Sequence, residues 1–406
     1  LFDHLKKVIH PGLRGALFYG LYWGVIGMFE PYVTVHFIRL GFNGQQIGWL
    51  AAVFPLFNFI ITPLISRLAD RTNQRILILA VSFAGFGILL AFLPVPVTFL
   101  SVLALYALVM AFRSPLTPLS DSLIAHMSER HRLDFGSMRL WGSIIFTITS
   151  LSLGIVWQKT GFNIMFLVSG VAFIVVVFAA FLLDEIPAQP PQNQQKSGIL
   201  PRTSRINLPE PGILFLLGGN FLLVGAVFMA GTFGTVYMAS LKGGEAYLGA
   251  LFGLSAMAEV PGMLFGRRIA RRLGDTNTLI LSYALIGVGL AGYAFSTSPW
   301  VMLLFAMVRG LGFGIFLVST VTIINHRAPE NQYATYQGLE KSLCWGLAPL
   351  LGGPLSGLLY QIYGPSTLFF LNAGMTAVAV LLLLPTFRLW KGSIPASTID
   401  LSHSEG

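Results

Sequence analysis

Ile164–Leu183 reads IMFLVSGVAFIVVVFAAFLL and holds no charged residue. At 1.5 Å per helical residue, a run of this length spans about 30 Å, the hydrocarbon thickness of a bilayer. Ile76–Leu93 and Leu368–Leu384 are runs of the same kind. In lipid every backbone N–H and C=O must be satisfied within the segment, so such runs predict membrane-spanning helices.

The whole chain has the matching composition. Hydrophobic residues make up 55% of 406 and charged residues 10%, with a mean hydropathy of +0.75. A water-soluble domain carries about 25% charged residues to clothe its surface. The 44 glycines and 22 prolines would break a soluble helical protein, whereas in membrane helices they allow close approach and bending. The single cysteine, Cys344, excludes an intramolecular disulfide and a cysteine-rich metal site. The net charge of +9 sits in short loops, so it points to lipid headgroups and not to nucleic acid. Leu1–His10 is amphipathic, and the apolar run after it continues for a full span, unlike a cleaved leader.

Twelve spans are predicted, at 12–37, 45–68, 74–93, 97–123, 137–158, 163–183, 212–239, 247–266, 277–296, 300–323, 333–360 and 366–386. The longest connection is rich in proline and polar residues and reads as a tether. The expected organisation is a six-helix bundle over 1–186, a linker over 187–211, and a second six-helix bundle with a short tail over 212–406. If the termini and even-numbered loops share one face, that face holds eighteen basic residues, and the other only Arg39, Lys159 and Lys242. This bias predicts a multi-pass protein of the cell (inner) membrane with both termini cytoplasmic. Each chain contains its own cavity between bundles, so a monomer is expected. The seven histidines are scattered without metal-ligand spacing, and no His, Asp and Ser cluster marks one face as an enzyme site. The expectation is a transporter without cofactor or metal, not an enzyme.

Ionisable residues inside spans are costly and usually face a partner or a water-filled cavity. Glu30 lies beside Pro31 in the outer half of span one and Glu259 near mid-membrane in span eight, and both are candidates for carrying a proton. Asp121 and Arg139 lie equally far from Arg130, on antiparallel spans, which predicts an ion pair at one depth. Arg309 in span ten is at a depth comparable with Glu259, and Arg113 lies deep in span four. Planar guanidinium groups at these positions suit binding of carboxylate or hydroxyl groups on a solute. Glu340 and Lys341 are adjacent and each needs its own partner, since successive helical positions do not face each other. Tyr19, Trp23, Trp141 and Trp345 are among the aromatics able to stack on a ring of the solute. In the turn after span two, Asp70 with Arg71 and Arg75 can clamp neighbouring helices by charge.

With these residues in view, the chain resembles the major facilitator superfamily over nearly its whole length. Asp70-Arg71-Thr72-Asn73-Gln74-Arg75 is similar to its loop two–three motif, Gly-x-x-x-Asp-Arg-x-Gly-Arg-Arg, with Ser66, Asn73 and Gln74 departing from it. Leu119–Gly142 and Met257–Gly262 resemble the segments of the lactose permease and phenylpropionate permease group that carry its sugar-binding and essential helix-eight charges. The resemblance implies an all-α fold of two six-helix bundles, substrate binding by Asp121 and Arg139, and proton coupling at Glu259. It sets Phe146 where the permease has its sugar-stacking tryptophan, Arg309 where it has a histidine, and Gly312 where it has a coupling glutamate. The implied activity is proton-coupled symport of a small polar organic solute such as a sugar, nucleoside or organic acid. The rivals are a drug–proton antiporter and a receptor or lipid-handling protein on the same fold.

Overall fold

The computed structural model of the chain describes residues 5–6, 8–186, 210–241, 244–328 and 332–390. Most of the linker, 187–209, and Lys242 lie outside the described residues. Among the described residues the elements are all helical. The first bundle comprises Pro11–Arg39, Gly44–Thr72, Arg75–Ala91, the pair Phe99–Arg113 and Leu116–His131, Phe135–Thr160 and Phe162–Ala180. The second comprises Pro211–Ser240, Glu245–Leu273, Asp275–Phe295, Pro299–Arg327 and the long run from Tyr333 to Leu389.

Among the described residues, nine helical stretches are long and apolar enough to cross a membrane. One of them, Thr335–Leu389, reverses at Gly364, whose φ of 78° is open to glycine but strained for other residues, and Pro365 follows it. Pro11–Arg39 and the shorter Arg75–Ala91 complete the predicted twelve.

Two spans differ from the sequence reading. Span four, expected over 97–123, breaks at Ser114–Pro115 and continues to His131. Pro115 lacks the N–H that would bond back into the preceding turn. Span eleven contains a π-helical turn, Lys341–Leu347. At its start Lys341 Nζ lies 3.5 Å from Glu340 Oε2, so these neighbours do meet, against the expectation for successive helical positions.

Glycine rows set the packing. Gly20, Gly24 and Gly27 of span one lie against Ile145, Thr149 and the Phe146 backbone of span five. Tyr32 Oη donates to Ser150 O at 2.9 Å and Trp157 Nε1 to Met28 O at 2.8 Å, fixing the same pair of helices. The face opposite the termini is closed by contacts between the bundles. A Cβ on Gly48 would strike Gly353, one on Gly357 would strike Gly44, and one on Gly154 would strike the Glu245 backbone. Arg39 forms an ion pair with Glu245 there, with its guanidinium 4.3 Å above the Phe162 ring.

On the termini's face the first bundle is tied by charge. Buried Arg14 bonds Asp184 Oδ1 and Leu182 O, both at 2.9 Å, and His131 Nε2 lies 2.7 Å from Asp184 Oδ2. Burial pushes the Asp184 carboxyl up, but the hydrogen bonds from His131 and Arg14 and the Arg14 charge together hold it below the usual carboxylate range. Glu185 accepts from the backbone N–H groups of Arg75 and Ile76 at 3.1 and 2.9 Å and caps span three. Asp70 accepts from Arg75 Nη2 at 2.8 Å but is 65% exposed. Removing Asp184 strands a buried cation, at a cost of roughly 3 kcal/mol, whereas removing Asp70 costs below about 1 kcal/mol. Asp184→Ala is therefore expected to lower the melting temperature in detergent by several times the shift of Asp70→Ala. Because the Asp184 pKa is lowered by folding, its stabilising share is present at neutral pH and fades as pH falls through the acid carboxylate range.

Candidate functional site

Between the bundles lies a cavity of about 960 Å³, with Asp134–Ser137, at the turn between spans four and five, at its mouth. Four helical stripes line it. Span five supplies Arg139, Ser143 and Phe146, spaced by four and three residues, so they share one face. Span ten supplies Arg309, Phe313 and Leu317 at intervals of four, and span eight supplies Phe252, Ser255, Glu259 and Met263. Span seven adds Val227, Ala230 and Gly231, while Trp23 of span one and Trp345 of span eleven close the sides.

The stripes of spans eight and ten are held in register by small residues. A Cβ at Gly310 would strike the Ser255 carbonyl, and one at Gly314 the Glu259 carbonyl. This close approach carries Ser255, Glu259 and Arg309 to one wall. Gly312, between them, faces the other way and packs on the Ser282 and Leu285 region of span nine. A Cβ there would lie within 3 Å of Leu285 and the Ser282 carbonyl, so no side chain fits.

The charged groups use partners other than those expected from spacing. Arg309 Nη2 donates to Ser255 Oγ at 2.7 Å. Among the described residues Arg309 makes no ion pair with Glu259, and Arg139 makes none with Asp121. The helix before the turn ends at His131 and the next starts at Phe135. Measured from the middle of that turn, Asp121 is about six residues, or about 9 Å, deeper than Arg139. Tyr19 stands between them: its Oη donates to Asp121 Oδ1 at 2.6 Å. The Arg139 guanidinium lies 5.4 Å from the Tyr19 ring centroid and 4.4 Å from that of Trp23. Stacking on two rings holds a guanidinium in place while leaving its N–H edge for a ligand.

Glu30 and Arg113, considered separately in the sequence, form an ion pair at 2.8 Å, with Arg113 4.7 Å above the Phe54 ring. They lie in a second chamber of about 230 Å³ and do not line the main cavity. Trp141 is half-exposed and outside the main cavity; two residues from Arg139, it is turned to another face of span five. That placement corrects its expected substrate contact. Phe146 lines the cavity, edge-on to Trp23. In the loop after span two, Arg75 meets Asp70, and both lie far from the cavity lining. Trp345 Nε1 donates to Glu340 Oε1 at 3.2 Å, and Lys341 Nζ lies 5.0 Å from the same ring. Among the described residues no group of three or more His, Cys, Asp or Glu is placed to hold a metal ion.

Ser255 and Tyr19 had not been expected to orient these charges. Ser255 stands four residues before Glu259 on the same helical face, and that interval is its only sequence signal. The Tyr19–Asp121 bond spans about a hundred residues of sequence and has none.

The model of the MFS_1 like family matches residues 13–371, and the chain belongs to that family of major facilitator transporters. It is 27% identical over 388 residues to the maltose permease of Geobacillus stearothermophilus, covering 93% of this chain and 94% of that protein. It is 26% identical over 400 residues to a probable 3-phenylpropionic acid transporter of Escherichia coli (strain K12), covering 94% and 97%. A mutant form of the nucleoside transporter NupG shares the fold with a TM-score of 0.82 at 18% identity, covering 93% of this chain and all of that one.

Gly314→Val places two methyl groups against the Glu259 backbone and separates spans eight and ten. The expected result is a melting temperature lowered by several degrees, corresponding to the roughly 1–3 kcal/mol cost of overpacking. Gly231→Val, where a Cβ would meet no atom within 4 Å, is expected to melt like the parent.

Proposed function

We propose that the chain is a secondary transporter that carries a small polar organic solute together with a proton by alternating access. The bundles bounded at residues 186 and 212 rock about the central cavity, joined by the 187–211 linker. The chain works as a monomer in the cell's inner membrane with both termini cytoplasmic; its basic-loop bias supports the placement of the termini. The observation that carries the proposal is that Glu259, Arg139 and Arg309 reach one cavity between bundles whose far face is closed.

Glu259 has no ion-pair partner among the described residues and sits on the wall beside Arg309. It takes a proton while the far face is open and releases it toward the termini's face. Neutralising it removes the cost of carrying a bare carboxylate through a closed, dry intermediate. Glu30, paired with Arg113, is the second candidate for the proton. Arg139 and Arg309 orient the solute through their donor edges, with Asp121 acting through Tyr19, and Phe146 and Trp23 offer ring faces. Asp70, Arg71 and Arg75 bias the equilibrium from the loop side, with Asp70–Arg75 as the contact of this conformation.

A drug–proton antiporter is the second reading. It is favoured by the largely apolar wall formed by residues such as Leu251, Val260, Met263 and Leu317. Solute addition that makes the external medium more alkaline supports symport, and acidification supports export. In proteoliposomes Glu259→Gln is expected to abolish accumulation driven by a pH gradient, by tenfold or more, while exchange of solute across the membrane continues. Gradient-driven uptake at the parent rate would remove Glu259 from the coupling role.

A further inference from the structure

The chamber holding Glu30 and Arg113 lies on the closed side of the main cavity and draws its walls from both bundles. Thr34 and Tyr106 belong to the first bundle, Phe228 and Thr232 to the second. Two residues, Gly231 and Phe252, line this chamber and the main cavity alike. A Cβ at Gly231 would meet no heavy atom within 4 Å. Gly231 and Phe252 thus mark where the two cavities adjoin, with room beside the glycine.

We propose that this chamber is a second binding subsite, reached from the main cavity past Gly231 and Phe252, and that it takes a neutral hydroxyl-bearing group of the transported solute. The inference rests on the transporter reading above. Its chemistry follows from the ion pair. Glu30 and Arg113 neutralise each other at 2.8 Å, so neither invites a lone ion. Together they present unused carboxylate lone pairs beside unused guanidinium N–H groups, the acceptor–donor set that a hydroxyl satisfies in both directions. An anion at Arg113 would be repelled by Glu30 and a cation at Glu30 by Arg113, and either would compete with the pair that neutralises both charges. The volume of about 230 Å³ suits one small ring or a short polyol segment. A solute longer than that would lie with its remainder in the main cavity, so a single molecule would touch both bundles at two depths.

The chain's single cysteine, Cys344, is fully buried, so Cys344→Ser provides a quiet background for thiol chemistry. In it, Thr232→Cys reports on the second chamber and Ser143→Cys, at a partly exposed position lining the main cavity, on that cavity, each measured as the rate of alkylation by a small water-soluble maleimide. The probes are maltose, uridine and 3-phenylpropionate, each at saturating concentration, with uptake of each measured in the same vesicles. The expected result is that maltose or uridine slows alkylation at both positions at least fivefold. Gly231→Leu, which places a side chain where the two cavities adjoin, is expected to abolish protection at Thr232→Cys and preserve it at Ser143→Cys, with an unchanged melting temperature. Protection at Ser143→Cys alone in the parent overturns the subsite and leaves the transporter reading intact. Protection of Thr232→Cys by 3-phenylpropionate alone overturns the assignment to a neutral group. Absence of both uptake and protection at either position overturns the transporter reading and the subsite with it.

Discussion

Hydrocarbon does not solvate charge, and that constraint organises this molecule. An arginine or carboxylate inside a span must pair, stack or reach water. The chain meets each case with a different device. Arg113 pairs with Glu30, Arg139 stacks on Trp23 and Tyr19, and Arg309 bonds Ser255 at the edge of the main cavity. Glu259 makes no ion pair among the described residues, and it stands where the cavity is. As a carboxylate it needs water in the space around it, and in a dry site it must be protonated.

Small residues make the arrangement possible. Close approach of spans eight and ten through Gly310 and Gly314 puts three polar side chains on one wall. The same device closes the opposite face, where Gly44, Gly48, Gly353 and Gly357 bring spans two and eleven into backbone contact. Glycine contacts come apart without stranding side chains, and the Arg39–Glu245 pair is the charged contact that opening this face must break. By contrast, the Arg14–Asp184–His131 cluster lies inside one bundle and resists separation. Rigid bundles and a soft seam are what rocking requires.

The fold was legible because bilayer thickness imposes one length on every span and loop charge marks one face. Ile164–Leu183 alone states the rule. Breaks were less legible: Pro115 divides span four, and the π turn at Lys341–Leu347 leaves no compositional mark. For the site, sequence identified the costly residues but paired them by counting along the chain. That failed for Asp121 and Arg139 because the turn is centred several residues after Arg130, and a shift of that size doubles into a mismatch of depth. Glu30 and Arg113 meet across eighty residues, which no local spacing encodes. Trp141 illustrates the opposite error, since an aromatic near a key arginine still needs the right helical face.

The central claim is that water, and not lipid or packed protein, occupies the space beside Glu259. Hydroxyl-radical footprinting in nanodiscs, read by mass spectrometry, tests it at three methionines. Met263 lines the cavity, Met257 is exposed on another face of the same helix, and Met302 is fully buried. The account predicts rapid oxidation of Met263, with Met257 shielded by lipid and Met302 by protein. Protection of Met263 to the level of Met302 would contradict it.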